Sequence, residues 1–268
     1  MSSAIWNGQL TDALGEIMSA TLNAMQLGDG VFETIRVLPD RPTGSRLLRR
    51  DAHRARLLRS AARSGYDISG LRGRLDATLM TAELEAHTQA VRISAMPTRS
   101  GTLGVLGVFT PRPYVDYRFG SRAVSSLLPH PGLGVLGKTC GYQWALTVGR
   151  WAKAAGAEDA FLLRDGEVVE AATAALRWRV GDAWFCPRAP GALDSVTAAA
   201  FDAREPSMSP AAATEAALAS ADQIILLSAL RLAIGVASWH DSTGARHRYP
   251  GHDHGLPALR AALLGRSG

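Results

Sequence analysis

A Gly-Asp-Gly turn at 28–30 runs into a β-rich stretch whose apolar and polar positions largely alternate, which predicts a strand over GDGVFETIRVL (28–38). A Pro/Gly turn from Arg41 to Gly44 and a short strand ending at Leu48 follow. The period then lengthens, predicting a helix from about Asp51 to Ser64 with Gly65 as its stop. His53, Arg56 and Ser60, spaced i, i+3, i+7, share one face of that helix, and Leu57, Leu58 and Ala61 supply its apolar contacts. A second helix is expected from about Ser69 to Glu85, then strands at AVRISAMPT (90–98) and LGVLGVF (103–109).

TPRPYVDYRFG (110–120), with two prolines and two tyrosines, reads as a connection between halves. The expected division is an N-terminal domain over 1–111, a linker over 112–120 and a C-terminal domain over 121–268. In the second half a strand is predicted near Ala123–Leu128, then a helix from about Cys140 to Ala155 stopped by Gly156. Trp144 and Trp151 are seven apart and share a face of that helix, suited to a core or a dimer interface. FLLRDGEVVE (161–170) carries Asp-Gly between two β-rich runs, a strong hairpin signal. Strands follow at ALRWRV (175–180), AWFCP (183–187) and QIILLSA (223–229). Helices are expected at Thr197–Arg204 and Pro210–Ser220, the second capped by Ser209 with Pro210 in its first turn.

Composition narrows the class. Of 268 residues, 47% are hydrophobic and 20% charged, the balance of a globular chain with a sizeable core. The start, MSSAIWNGQLTDAL, lacks the basic segment and apolar run of a secretory signal, and no stretch reaches membrane-spanning length. Cys140 and Cys186 form no paired framework, which points to a reducing cytoplasm. The net charge of +5 owes much to RLLRRDAHRARLLRSAAR (46–63), yet no aromatic stacking platform accompanies it, so no nucleic-acid partner is expected. GHDHG (251–255) offers two histidines and an aspartate without a further ligand cluster, and reads as a loop rather than a metal site.

Lys138 is the residue on which function turns. Lys+Arg total 29, and only Lys138 and Lys153 are lysine. A primary amine deprotonates and condenses with carbonyls, which a guanidinium does not. The surrounding Gly132–Thr139, GLGVLGKT, also satisfies the pattern of a nucleotide phosphate-binding loop. That reading needs a buried strand directly before the glycines, whereas SLLPHPGLG interrupts any strand with two prolines, and an antiparallel hairpin follows the helix. The alternative is a Schiff-base lysine for pyridoxal phosphate, which also needs an acid beside the ring nitrogen and anchors for a dianionic phosphate.

Five ordered blocks bear on that choice: GDGVFETIRV (28–37), HRARLLRSA (53–61), GKTCGY (137–142), GAEDAFLLRDGEVVE (156–170) and ADQIILLSAL (221–230). With them the chain resembles, over nearly its whole length, the class IV aminotransferases, the fold-type IV pyridoxal-phosphate family. That family includes branched-chain aminotransferase, D-amino acid transaminase and aminodeoxychorismate lyase. The resemblance implies an α/β (α+β) fold of two domains, with mixed and antiparallel sheets and flanking helices. It also implies a homodimer, with the active site between the two domains and near the partner subunit.

Position by position, the resemblance makes Lys138 the covalent anchor of the cofactor and then the general acid/base at the substrate Cα. Glu170 would pair with the pyridine nitrogen, Arg56 would bind the phosphate, and Tyr142, one helical turn after Lys138, would reach the phenolic oxygen. Two departures stand out. Ala175 occupies a position where the family commonly has asparagine, and Ser195, Val196, Thr197 and Ala198 replace the usual Gly-Ile-Thr/Met-Arg of the phosphate cup. Backbone N–H groups of Val196 and Thr197 at a helix start can still hold phosphate, with the Ser195 and Thr197 hydroxyls adding to them. Ser228 and Ala229 occupy the other phosphate-contacting position. Arg36, Arg92 and Arg99 are candidates for a substrate carboxylate.

The short chain and the GDGVFETIRV start look most like aminodeoxychorismate lyases, which release pyruvate and form 4-aminobenzoate for folate synthesis. A branched-chain or D-amino acid transaminase is the alternative. A nucleotide-binding protein through Gly132–Thr139, and a non-catalytic family member motivated by the altered cup, are the readings from other classes.

Overall fold

The computed structural model describes residues 4–38, 47–84, 90–110, 121–126, 128–132 and 136–265. The linker expected at 112–120 and the turn expected from Arg41 to Gly44 lie outside the described residues. The chain divides into two compact units, Met1–Tyr114 with Leu136–Tyr142, and Val115–Val135 with Gln143–Gly268.

The first unit is an antiparallel sheet with helices. Its strands are β1 (Ala4–Trp6), β2 (Gln9–Thr11), β3 (Val31–Arg36), β4 (Ala90–Pro97) and β5 (Leu103–Thr110), ordered β2-β1-β5-β4-β3. Its helices are α1 (Leu14–Leu27), α2 (Arg50–Arg63) and α3 (Leu71–Leu84). Side chains alternate along a strand, so Val31, Glu33 and Ile35 share one face of β3. Val31 and Ile35 are buried with Val91, Ile93 and Ala95 of β4, Leu57 and Ala61 of α2, and Leu71, Leu75 and Leu79 of α3. Each such Leu or Ile contributes roughly 1.5–3 kcal/mol by leaving water. Phe32, Thr34 and Arg36 point to the other face, where the register sets Thr34 opposite Arg92 and Phe32 opposite Ser94.

The second unit holds β6 (Ser121–Ser125), α4 (Gln143–Ala154), β7 (Asp159–Arg164), β8 (Glu167–Ala171), β9 (Ala175–Val180), β10 (Ala183–Pro187) and α5 (Val196–Asp202). It continues with β11 (Ser209–Ala211), α6 (Glu215–Ala219), β12 (Gln223–Ser228), β13 (Leu232–His240), β14 (Arg246–Arg248) and α7 (Leu256–Leu263). The sheet runs β11-β10-β9-β12-β13-β6-β7-β8, with β14 on β13. It is mixed, as the sequence led us to expect: β6 lies parallel to both β13 and β7, and the hairpins are antiparallel. The β7–β8 turn is made by Asp165 (φ 51°) and Gly166 (φ 79°), the paired left-handed residues that an Asp-Gly hairpin requires. Among the described residues no helix is long and apolar enough to cross a membrane.

Two expectations are corrected. Pro210–Ser220 is not one helix. Ser209–Ala211 pairs with β10 as a parallel edge strand, and the helix is only Glu215–Ala219, capped by the Thr214 hydroxyl accepting from the Ala217 N–H. Pro210 is tolerated in an edge strand because no inner ladder needs its missing N–H. The helix expected from Cys140 begins at Gln143, so Tyr142 precedes it rather than riding on it. Leu136–Tyr142 clusters with the first unit, and its backbone pairs with β3. Helix α1, which the sequence reading did not mark, exposes Leu14, Met18, Leu22 and Met25 while burying Ile17, Thr21 and Ala24, so apolar residues on both faces blur its amphipathic pattern.

Candidate active site

In the first unit the Lys138 segment lies along the outer edge of β3. The Phe32 N–H donates to the Lys138 carbonyl at 2.8 Å, the Cys140 N–H donates to the Gly30 carbonyl at 2.8 Å, and Val31 and Thr139 form an antiparallel bridge. From the other side the Lys138 N–H donates to the Ser60 Oγ of α2 at 3.1 Å. Gly137, at φ 99°, brings the chain against Ser60 where no other residue fits. The glycine of the Gly-Lys-Thr string thus has a packing reason unrelated to phosphate. A nucleotide loop would deliver its lysine into a helix N-terminus, but α4 starts only at Gln143, and this geometry sets that reading aside.

The Lys138 Nζ stands 4.5 Å from the Phe32 ring centroid and 5.2 Å from that of Tyr142, and the two rings meet edge to face at 5.4 Å. Tyr142 therefore neighbours the amine, although not through a helical turn. The Arg92 guanidinium carbon lies 3.6 Å from the Phe32 centroid, a close cation–π contact. Burial pushes the Cys140 thiol up, with Arg92 opposing the shift. Arg36 shares the Phe32 face of the sheet with Arg92, whereas Arg99 sits exposed in the β4–β5 turn, its N–H on the Ala20 carbonyl.

Arg56 is buried and bound on the helix-packed face. Its Nε and Nη2 donate to the two Glu33 carboxylate oxygens, each at 2.7 Å, and the His53 Nδ1 is 2.7 Å from Glu33 Oε2. Burial alone would raise the Glu33 carboxyl, but the Arg56 and His53 hydrogen bonds outweigh it and hold it below the ordinary carboxylate range. His53, Arg56 and Ser60 do share the buried face that their spacing predicts.

The second unit gathers the other candidates. Glu170, in β8, is part-buried, and its Oε1 lies 2.9 Å from the His130 Nε2 while its Oε2 accepts from the Leu193 N–H at 3.1 Å. Ser195 is the N-cap of α5, its Oγ accepting from the Ala198 N–H at 3.2 Å, and Val196 and Thr197 form the buried first turn. Ser228 ends β12, its Oγ accepting from the Arg231 Nε at 3.3 Å, and Ala229 follows it. Arg231 is itself tied to the buried Asp159 at 2.7 Å. Ala175 opens β9. Residues 251–255 form a turn leading into α7.

The family profile described as amino-transferase class IV matches residues 30–239. The chain belongs to the class IV aminotransferases. Solved structures agree in fold. A branched-chain aminotransferase from the thermophilic archaeon Thermoproteus uzoniensis, with norvaline, is 21% identical with TM-score 0.79, covering 100% of this chain and 96% of that one. A hypothetical aminotransferase from Mycobacterium tuberculosis, in its PLP-bound form, is 22% identical with TM-score 0.78, covering 99% of both chains. The fold IV-transaminase CpuTA1 from Curtobacterium pusillum is 20% identical with TM-score 0.79, covering 98% and 97%. A search of curated proteins returned no match.

Three residues that contact the candidates were not expected from the sequence: Glu33 on Arg56, Phe32 beside Lys138 and His130 on Glu170. Glu33 had a signal, because a carboxylate between Val31 and Ile35 on an inward face requires a buried partner. Phe32 had none beyond its place next to that glutamate. His130 was visible only as part of a proline-rich interruption.

Proposed function

We propose that this chain is a pyridoxal-phosphate-dependent transaminase acting at the Cα of an amino acid. The observation that carries the reading is Lys138, one of two lysines, pinned by Ser60 and β3 with its amine against Phe32 and Tyr142. The residues fit the cofactor: an amine held beside aromatic rings, and a part-buried carboxylate in contact with the His130 ring and the Leu193 N–H. When bound, pyridoxal phosphate supplies the electron sink that makes the substrate Cα–H acidic. Lys138 would anchor it and move the proton at Cα. Glu170 would accept a hydrogen bond from the ring nitrogen. Val196 and Thr197, with their backbone N–H groups, and Ser228 and Ala229 serve the phosphate; Ser195 holds that turn in shape as its cap.

Arg56 completes the phosphate set in the family resemblance, and its bidentate Glu33 contact fixes the plane of its guanidinium. Tyr142, beside the Lys138 amine, would reach the phenolic oxygen. Arg36 and Arg92, on the Phe32 face, are the arginines proposed for a substrate carboxylate. The exposed stripe Leu14, Met18, Leu22 and Met25 on α1 supports a homodimer. Two free cysteines support a cytoplasmic location.

Purified protein should be yellow, borohydride should fix the colour covalently, and Lys138→Ala should abolish the adduct. A protein that takes up no added pyridoxal phosphate ends this reading. Aminodeoxychorismate lyase is the second reading, favoured by the short chain and the GDGVFETIRV start. Glutamate formed from 2-oxoglutarate supports the transaminase, and pyruvate with 4-aminobenzoate the lyase.

A further inference from the structure

His130 is buried and touches Glu170, the carboxylate proposed for the ring nitrogen. Its other ring nitrogen settles how. The Gly132 backbone N–H points at His130 Nδ1 at 2.9 Å, and a peptide N–H can only donate. Nδ1 therefore presents its lone pair, the ring proton sits on Nε2, and Nε2–H donates to Glu170 Oε1. The contact is a hydrogen bond from a neutral imidazole, because an imidazolium would set Nδ1–H against the Gly132 N–H.

Two loops converge on the carboxylate. The His130 N–H donates to the Leu163 carbonyl of β7 at 2.7 Å, and the ring packs edge-on against Trp144 of α4 at 5.9 Å. The loop that supplies the Leu193 N–H passes so near that a Cβ on Gly191, at φ 109°, would stand 3.2 Å from the Gly132 Cα and 3.5 Å from His130 Nδ1. Each Glu170 oxygen thus receives one N–H, each from a different loop, leaving further lone pairs for a third donor.

We infer that His130 is a positioning residue: its Nε2–H orients Glu170 and keeps it an acceptor, so that a shared proton stays on the cofactor ring nitrogen. This role rests on the functional reading above. It asks His130 for a fixed tautomer and a fixed direction, with no proton transfer of its own.

The test joins three measurements. In the cofactor-free protein, imidazole nitrogen NMR should show His130 as the neutral Nε2–H tautomer near neutral pH; an Nδ1–H tautomer or a doubly protonated ring overturns the inference. In holoenzyme loaded with 15N-labelled pyridoxal phosphate, the ring nitrogen should be protonated in wild type and in His130→Gln, whose amide can donate from the same place. In His130→Phe, which keeps a ring against Trp144, the nitrogen resonance should move toward the unprotonated position. For that variant kcat should fall on the order of 10- to 100-fold, as loss of an outer partner of a ligating group commonly causes. KM should change little, and the Gln variant should recover most of the loss.

A folded Phe variant with wild-type nitrogen shift and kcat removes His130 from the mechanism while leaving Lys138 and Glu170 in place. Should the Phe variant fail to fold, a Gln variant with an unprotonated ring nitrogen overturns the inference and one with a protonated nitrogen supports it. Wild-type protein that binds no cofactor, whatever the tautomer, overturns the functional reading and this role with it.

Discussion

Gly137 stands so close to Ser60 that a Cβ on the glycine would lie 2.3 Å from the serine Oγ and 2.8 Å from its Cα. The Oγ could swing aside, but the Cα belongs to helix α2 and could not. The same serine accepts the Lys138 N–H, so the fit of one residue positions the next. Gly137→Ala is expected to cost about 1–3 kcal/mol through overpacking and left-handed strain, and to reduce the borohydride-trapped adduct on Lys138. Ser60→Ala should cost only about 1 kcal/mol, the lost hydrogen bond, and retain the adduct. Denaturant midpoints and intact mass check both; equal stability of Gly137→Ala and wild type would remove the packing argument.

Glu33 is the carboxylate whose loss should be felt most. Glu33→Gln removes the carboxylate that the buried Arg56 grips with two N–H groups, an expected loss of about 3–5 kcal/mol. The pH dependence has a definite sign. The folded carboxyl lies below its unfolded value near 4.3, so its contribution is complete above that value and lost as pH falls through the lower folded one. Wild type should therefore lose stability below about pH 4 more steeply than Glu33→Gln, measured by urea unfolding across acid pH. Parallel curves would refute the linkage.

Two glycines without positive φ should respond in opposite directions. A Cβ on Gly235 of β13 would lie 1.8 Å from the His252 carbonyl oxygen, a backbone atom that cannot turn away. Gly73 of α3 is exposed and meets nothing within 4 Å. Gly235→Ala should destabilise by about 3 kcal/mol or abolish expression, and Gly73→Ala should stabilise by about 0.5–1 kcal/mol. Thermal melts of the two variants decide it.

Arg92 is proposed to meet a substrate carboxylate. Removing a charged hydrogen-bond donor of that kind costs about 1.5–3 kcal/mol, so Arg92→Met should raise KM for the carboxylate-bearing substrate roughly 10- to 100-fold. Stacked on Phe32, its guanidinium plane matters too, and Arg92→Lys should restore little. An unchanged KM would reassign Arg92 to packing.

The α1 stripe yields a solution test. Met18 and Leu22 of α1 are both exposed. If the stripe is a subunit contact, wild type should be a dimer by light scattering and Met18→Glu should shift it to monomer. Monomeric wild type would discard the proposal.

Sequence alone determined whatever neighbouring residues decide between themselves. The Asp165-Gly166 hairpin, the shared face of His53, Arg56 and Ser60, and strands β4, β9 and β10 were legible because turn dihedrals and side-chain period are local properties. The proposal for Lys138 also starts from sequence alone, since an amine condenses with a carbonyl and a guanidinium does not. Tertiary structure decided the rest. Pro210 entered an edge strand because β10 offers it a partner, and the segment from Leu136 to Tyr142 left its neighbours to run along β3. The Glu33–Arg56 pair, 23 residues apart, and the His130–Glu170 pair, 40 apart, join groups whose distance in sequence carries no information about contact. Each needs a buried partner because it has been taken out of water, and only packing determines which partner arrives.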